Sequence, residues 1–366
     1  MKIAVLGVGL IGGSIGLAAR QRLGAEVVGF DREPERLARA VELGALDRAA
    51  VGVAEAVEEA EVIFCAAPVG ALRGLVAEAL AACDSRAVVT DVGSTKRALT
   101  DALAGEPNIA RFIGGHPLAG AETAGVENAR AEMLEGARWY LTPTPASSGI
   151  AYDMLQRVVA ELGARPQAIA PEVHDRVMAV VSHLPHVLAN VLVREAAAAL
   201  SEESEHLPEV GTSFRDTTRV AGANPAVWRD IFDSNREAVA SEIEATVERL
   251  REAAELIRSG DADAVAEWHG AAGDDRRRLL ESELSGGADL RELRVGVENR
   301  PGTVAEIALA LGHAQVNIED MALYPAADMR TGAISIWIAG SEEAERAAGV
   351  VRELGHTVAL LAEGER

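Results

Sequence analysis

The stretch KIAVLGVGLIGGSIGLAARQRL, residues 2 to 23, constrains the fold more than any other part of the chain. A short apolar run, Lys2 to Leu6, is followed by Gly7, Gly9 and Gly12 in the spacing G-x-G-x-x-G. In a strand–turn–helix unit, each glycine has a steric task. Gly7 makes the tight turn, Gly9 lets the backbone approach a pyrophosphate, and Gly12 lets helix and strand pack closely. Leu10 and Ile11 open the helix, whose free N-terminal amides suit an anion. A second apolar run ends at Asp31, about 20 residues on, where a carboxylate binds ribose hydroxyls. Arg32 could accept the 2′-phosphate of NADP, but Asp31 would repel it, so the pattern favours NAD. The expected fold is a Rossmann-type α/β domain.

Strands and helices continue to alternate. EVIFCAAP ends at Pro68, AVVTDVGSTK carries Ser94 and Lys96, and FIGGHPLAG carries His116. In parallel sheets, ligands lie beyond the carboxyl ends of the strands. Pro68, residues 91 to 96 and His116 are therefore expected at one crevice. Gly114 and Gly115 read as clearing room beside the imidazole for a cofactor and a substrate ring, with Pro117 stiffening the backbone. Lys96 is one of only two lysines, with Lys2. It reads equally well as a surface residue at a helix start or as a site residue.

From about Pro171 to Leu284 the pattern is helical. His183, His186 and Asn190 sit at i, i+3 and i+7, spacings that share one helix face. Pro185 removes a helical hydrogen bond. This reads as a polar stripe lining a substrate, and no metal site is expected because no third ligand stands at a telling spacing. Arg215, Asp216, Arg219, Trp228 and Arg229 crowd a segment that reads as loop-rich, and an arginine fork suits a carboxylate. The long helices after Ala226 carry an apolar stripe suited to a second subunit. After LSGGAD the order reads strand, helix, strand, strand, helix, strand: a small ferredoxin-like βαββαβ domain. The expected domains are 1–170, 171–285 and 289–366.

Bulk properties exclude several functions. The net charge of −22 over 366 residues argues against nucleic acid or an anionic membrane as a partner. Two cysteines make no disulfide framework and fit a reducing, cytoplasmic setting. The glycine-broken start is no signal peptide, and no segment reads as apolar for long enough to span a bilayer.

The motifs GVGLIGGS, DVGSTK, GGHPLAG, SHLPH, FRDTTRVA and WRDIF, in that order, resemble the prephenate dehydrogenase family of tyrosine biosynthesis, over essentially the whole chain. The resemblance implies NAD-linked oxidative decarboxylation of prephenate. His116 and Ser94 would act on the ring hydroxyl, and Arg219 would hold a substrate carboxylate. His186, His183, Asp216 and Trp228 would surround it, and a homodimer would form through the helical domain. Arogenate is the alternative substrate, because Ala121 and Thr212-Ser213 depart from the family pattern. The tail VENRPGTVAEIALALGHAQVNIEDM is similar to an ACT domain, a module that binds small effectors. This implies feedback by an amino acid, tyrosine first, bound near Asn299, Arg300, Pro301, Gly302, Asn317 and Ile318. Two other readings stand beside this one: another NAD-linked dehydrogenase with a helical dimer domain, and a non-catalytic sensor of NAD and an amino acid.

Overall fold

The computed structural model describes residues 1–120, 123–201, 210–284, 290–298, 300, 302–325 and 330–361. It divides into two compact units, Met1–Leu250 and Arg251–Arg366.

The first unit is built on eight strands: β1 (Lys2–Leu6), β2 (Glu26–Phe30), β3 (Arg48–Ala49), β4 (Val62–Cys65), β5 (Val88–Asp91), β6 (Phe112–Pro117), β7 (Arg138–Thr142) and β8 (Arg165–Ala168). Their order in the sheet is β3-β2-β1-β4-β5-β6-β7-β8. All neighbours are parallel except β6 and β7. The first six follow the doubly wound order, whose switch point lies between β1 and β4. Strands buried on both faces read as continuous apolar runs, and β1 shows why. Ile3 and Val5 pack into one core with Ile15, Ala18, Leu155 and Val158. Ala4 and Leu6 point the other way, into a core with Leu72, Val76, Leu99 and Leu103.

A helical segment follows the sheet. Helix Pro171–Met178 runs through a π-helical turn, Ala179–His183, into helix Leu184–Ser201. Pro185 explains the wide turn. It has no N–H for the carbonyl four residues back and its ring crowds that carbonyl, and one π turn relieves both effects without breaking the helix. Contrary to the sequence expectation, Pro171–Ala198 is long and apolar enough to cross a membrane by length and composition. The same stretch buries His174, Asp175 and His183 inside the folded unit, while Val180, Val181, Val191 and Leu192 are exposed. The apolar excess thus lies on an uncovered helix face.

The residues from Thr212 to Ser234, expected to be loop-rich, are helical. Helix Thr212–Thr218, a 3₁₀ turn Arg219–Gly222 and helix Pro225–Ser234 follow one another. Asn224 caps the last of these, accepting from the Ala226 N–H at 2.9 Å, with Pro225 in the first turn.

In the second unit, β9 (Leu290–Glu298), β10 (Asp320–Pro325), β11 (Thr331–Ala339) and β12 (Thr357–Leu361) form an antiparallel sheet in the order β10-β11-β9-β12. Helices Thr303–His313 and Ser341–Glu353 complete the order βαββαβ. Leu293, Val295, Ile307, Leu311, Ile336, Ala347 and Val351 form its core.

Candidate active site

The glycine turn has the shape that a dinucleotide needs. Gly7 has φ +97°, and a Cβ there would lie 2.5 Å from the Ala66 carbonyl oxygen. At Gly12 a Cβ would meet the Gly7 oxygen at 2.0 Å. At Gly9, which opens the helix Leu10–Leu23, a Cβ would meet nothing within 4 Å. Two glycines are thus required by the protein's own packing, and the one between them faces open space. Leu10 and Ile11 form the first turn, with Ile11 packed on the core. Pro68 opens the helix Val69–Ala82 directly after the Ala66-Ala67 segment that covers Gly7. Asp31 lies at the mouth of the turn, accepting from the Val8 N–H at 2.8 Å and the Glu33 N–H at 3.0 Å. Its cationic neighbour is Arg36, whose Nη1 stands 3.2 Å from both carboxylate oxygens. Arg32 is exposed. Glycine cradle, bare helix start and carboxylate together fit a dinucleotide.

Beyond β5 and β6 lies a buried polar centre. Lys96 donates to the Asp91 carboxylate and, at 2.6 Å, to the Gly115 carbonyl. Asp91 also accepts from the Gly93 N–H at 2.8 Å and the Gly115 N–H at 3.1 Å. The loop carrying Ser94 is thereby pinned at both ends, and Ser94 itself is half-buried within it. Lys96 is 1% exposed, so it is no surface lysine. Burial lowers its pKa, against the pull of Asp91 and Asp175.

His116 stands near the end of β6, opposite Tyr140 of β7. Its Nδ1 is 2.8 Å from His174 Nε2, and His174 Nδ1 is 2.8 Å from Asp175 Oδ1. Asp175 is fixed by the amides of Lys96 at 2.8 Å and Arg97 at 2.9 Å. This chain sets the tautomers. A carboxylate only accepts, so His174 donates from Nδ1, and as a neutral imidazole it accepts at Nε2. His116 must then carry its proton on Nδ1, leaving Nε2 as a bare base. The His116 pKa lies well below the ordinary histidine range. Burial is the largest cause, followed by the positive potential of His174, Lys96 and His183.

Gly114 and Gly115 do not clear room for a ligand, contrary to the sequence reading. A Cβ on Gly114 would lie 2.4 Å from Thr142 Oγ1, and one on Gly115 would lie 2.5 Å from the Asp91 carbonyl oxygen and 3.0 Å from Trp139 Nε1. The protein's own strands fill that space.

Helices supply the rest of the site. His183 is buried, and its Nδ1 is 3.2 Å from Asn235 Nδ2, which also donates to the Asp175 carbonyl at 2.8 Å. Burial lowers the His183 pKa to about 4, with Asp175 opposing. His186 stacks on Trp228, with ring centroids 3.6 Å apart, and the edge of His183 meets the same indole at 5.8 Å. Burial and then the Arg219 charge lower the His186 pKa. Arg219 and Asp216 are exposed. The proposed stripe therefore assembles only in part. His183, His186 and Trp228 meet, but Asn190, one turn further along the helix Leu184–Ser201, is exposed and donates back to the His186 carbonyl at 2.9 Å. His174 and Asp175 are absent from the sequence reading, and among the described residues no cluster of potential ligands could hold a metal ion.

Of the effector residues expected in the tail, Asn299 and Pro301 lie outside the described residues, as does Ala121. Arg300 pairs with Glu306 at 2.8 Å, and Gly302, with φ +94°, opens the helix Thr303–His313. Asn317 donates to Glu319 at 2.7 Å, and Ile318 packs on the small core.

Residues 15–168 match the family model for the prephenate dehydrogenase nucleotide-binding domain, and residues 170–270 match its dimerization domain. A prephenate dehydrogenase of Bacillus subtilis is 30% identical over 353 residues, 94% of each chain. The chain belongs to the prephenate dehydrogenase family of NAD-dependent oxidoreductases. A cyclohexadienyl dehydrogenase of Zymomonas mobilis is 33% identical over 72% of this chain and 91% of its own. A solved prephenate dehydrogenase of Aquifex aeolicus, in complex with hydroxyphenyl propionate and NAD⁺, has a TM-score of 0.71 and 31% identity. It covers 76% of this chain and 98% of its own.

Proposed function

We propose that the protein oxidatively decarboxylates prephenate to 4-hydroxyphenylpyruvate with reduction of NAD, in L-tyrosine biosynthesis. The observation that carries this reading is the His116–His174–Asp175 chain, which leaves His116 neutral with a bare Nε2. NAD, when bound, supplies the hydride acceptor, held by Gly7, Gly9, Leu10, Ile11, Gly12, Asp31 and Pro68. His116 Nε2 accepts the ring hydroxyl's proton as the carbonyl forms, and Ser94 fixes that hydroxyl. A positioned base of this kind contributes about 10²–10⁴-fold. The ring carboxylate then leaves as carbon dioxide, its electron pair entering the ring. The oxygen, now a phenolate, takes a proton.

Arg219 holds the remaining carboxylate, with His186, His183, Asp216 and Trp228 around it. A dianion in a chain of net charge −22 needs such a local cation. The domains are taken as 1–170, 171–285 and 289–366. The exposed valines of the Pro171–Ala198 helix support a homodimer through the helical domain. The βαββαβ order of the tail, with its strand order β10-β11-β9-β12, supports a ferredoxin-like ACT domain. It would take an amino-acid effector, tyrosine first, near residues 299–302 and 317–318. Free Cys65 and Cys83 fit a reducing cytoplasm.

Arogenate is the second reading, favoured by the likeness to a cyclohexadienyl dehydrogenase. The deciding assay is NADH formation by purified protein with NAD and either prephenate or arogenate. Turnover of prephenate is expected, and turnover of arogenate alone would move the substrate assignment. Turnover of neither would remove the enzymatic reading in favour of a sensor. Tyrosine should inhibit the full-length protein. Unchanged kinetics, together with no heat of tyrosine binding, would overturn the regulatory role.

A further inference from the structure

Behind the candidate base lies a second pair of buried groups. His174 is 0% exposed and Asp175 2%. The reaction proposed above, on which this inference rests, releases no net proton. The hydroxyl proton leaves as the carbonyl forms, and after the carboxylate departs the same oxygen becomes a phenolate and takes a proton back. One proton must therefore be held between the two events.

His116 is a poor place to hold it. As a cation it would be buried beside Lys96 and two further histidines, which disfavours the charge. His174 differs in one respect: its Nδ1 stands 2.8 Å from a carboxylate that two backbone amides hold in place. The groups facing this chain are known from each neighbouring element. Asp91 and Lys96 come from β5 and the loop after it, Tyr140 from β7, and His183 from the π turn, with Asn235 bridging His183 to the Asp175 backbone. The Lys96 charge is matched by Asp91, which leaves Asp175 as the anion facing an imidazolium at His174.

We propose that His174 and Asp175 are positioning residues that form a closed proton store behind His116. The substrate hydroxyl's proton goes to His116 Nε2, and the proton on His116 Nδ1 moves across 2.8 Å to His174 Nε2. The positive charge then lies against Asp175. When the phenolate forms, both transfers reverse, and the proton returns to the oxygen it left. Bonds balance at each stage: one O–H breaks and reforms, an Nε2–H forms and breaks on His116 while its Nδ1–H breaks and reforms, and one Nε2–H forms and breaks on His174. No proton passes to bulk water.

Two measurements test this. The first uses the unaltered protein with NAD and a single-turnover amount of prephenate, in weak buffer with a pH indicator. NADH should appear while the indicator stays silent on the same timescale. Release of one proton per NADH in that phase would overturn the store. The second uses His174→Phe, which keeps an aromatic ring against His116 and Tyr140 but no nitrogen. We expect kcat to fall about 100-fold or more, within the span of positioned general bases. The prephenate KM and NAD affinity should stay within about threefold, a split that loss of packing would not give. An unchanged kcat would overturn the proposal. Should that variant misfold, Asp175→Asn makes the same test, because its amide leaves a donor facing a donor. Failure of the dehydrogenase reading is distinguishable, since the unaltered protein would then form no NADH at all.

Discussion

The two halves of the candidate site are built differently. At the strand ends, Asp91 and Lys96, together with His174 and Asp175 of the helix Pro171–Met178, are all buried, and each has a hydrogen-bonded partner. On the helical side, Arg219 and Asp216 are exposed, and the apolar face of the Pro171–Ala198 helix is uncovered. The half proposed to handle the proton is thus buried and hydrogen-bonded, whereas the half proposed to hold a carboxylate is exposed. This division suits the chemistry. Transfer of a proton needs fixed tautomers at hydrogen-bond distance, and a carboxylate anchor needs an accessible cation.

Substitutions should register this contrast, most strongly on the buried side. Lys96→Met leaves Asp91 as an uncompensated buried charge and should cost about 3–5 kcal/mol, measured by denaturant unfolding. A loss under about 1 kcal/mol would mean the pair is not buried as described.

His183 should make stability depend on pH. Its folded pKa of about 4 lies below the ordinary 6.5, so the unfolded chain binds its proton first as pH falls. The contribution is complete above about pH 6.5 and is lost as pH drops towards 4, by up to about 3 kcal/mol. Melting temperatures of the protein and of His183→Gln across that window should converge as pH falls, and parallel curves would refute the shift.

Arg219→Ala, on the open side, should leave folding intact and raise the prephenate KM about 30-fold, equivalent to roughly 2 kcal/mol. An unchanged KM would remove Arg219 from the pocket. The smallest effect is expected at Arg229, which is 77% exposed and pairs with Asp230. Arg229→Ala should change stability by no more than about 0.5 kcal/mol. A larger loss would show that the helical half is more tightly wired than its exposure implies.

The contrast also governs what could be read from sequence. Gly7, Gly9, Gly12 and Asp31 were legible because their task is local and steric, and strand, turn and helix lie together in the chain. His116 was legible from the strand-end rule. Its partners were not, because His174 is 58 residues away and His174-Asp175 at a helix start leaves no periodic signal. Lys96 reads two ways in the sequence for the same reason: only the tertiary fold brings the Gly115 carbonyl and Asp91 around it. Gly114 and Gly115 signalled close approach correctly, but a sequence cannot say whether a ligand or a neighbouring strand makes the approach. At Asn190, helical spacing gave the shared face with His186 but not how far along the helix that face stays covered, and Asn190 is exposed.

The measurement closest to the central claim compares the protein with His116→Asn in one assay of NADH formation from prephenate, alongside NAD binding to each. The variant should lose kcat by about 10²–10⁴-fold while binding NAD as before. Normal turnover by the variant would contradict the role assigned to His116 and, with it, the account of the buried chain behind it.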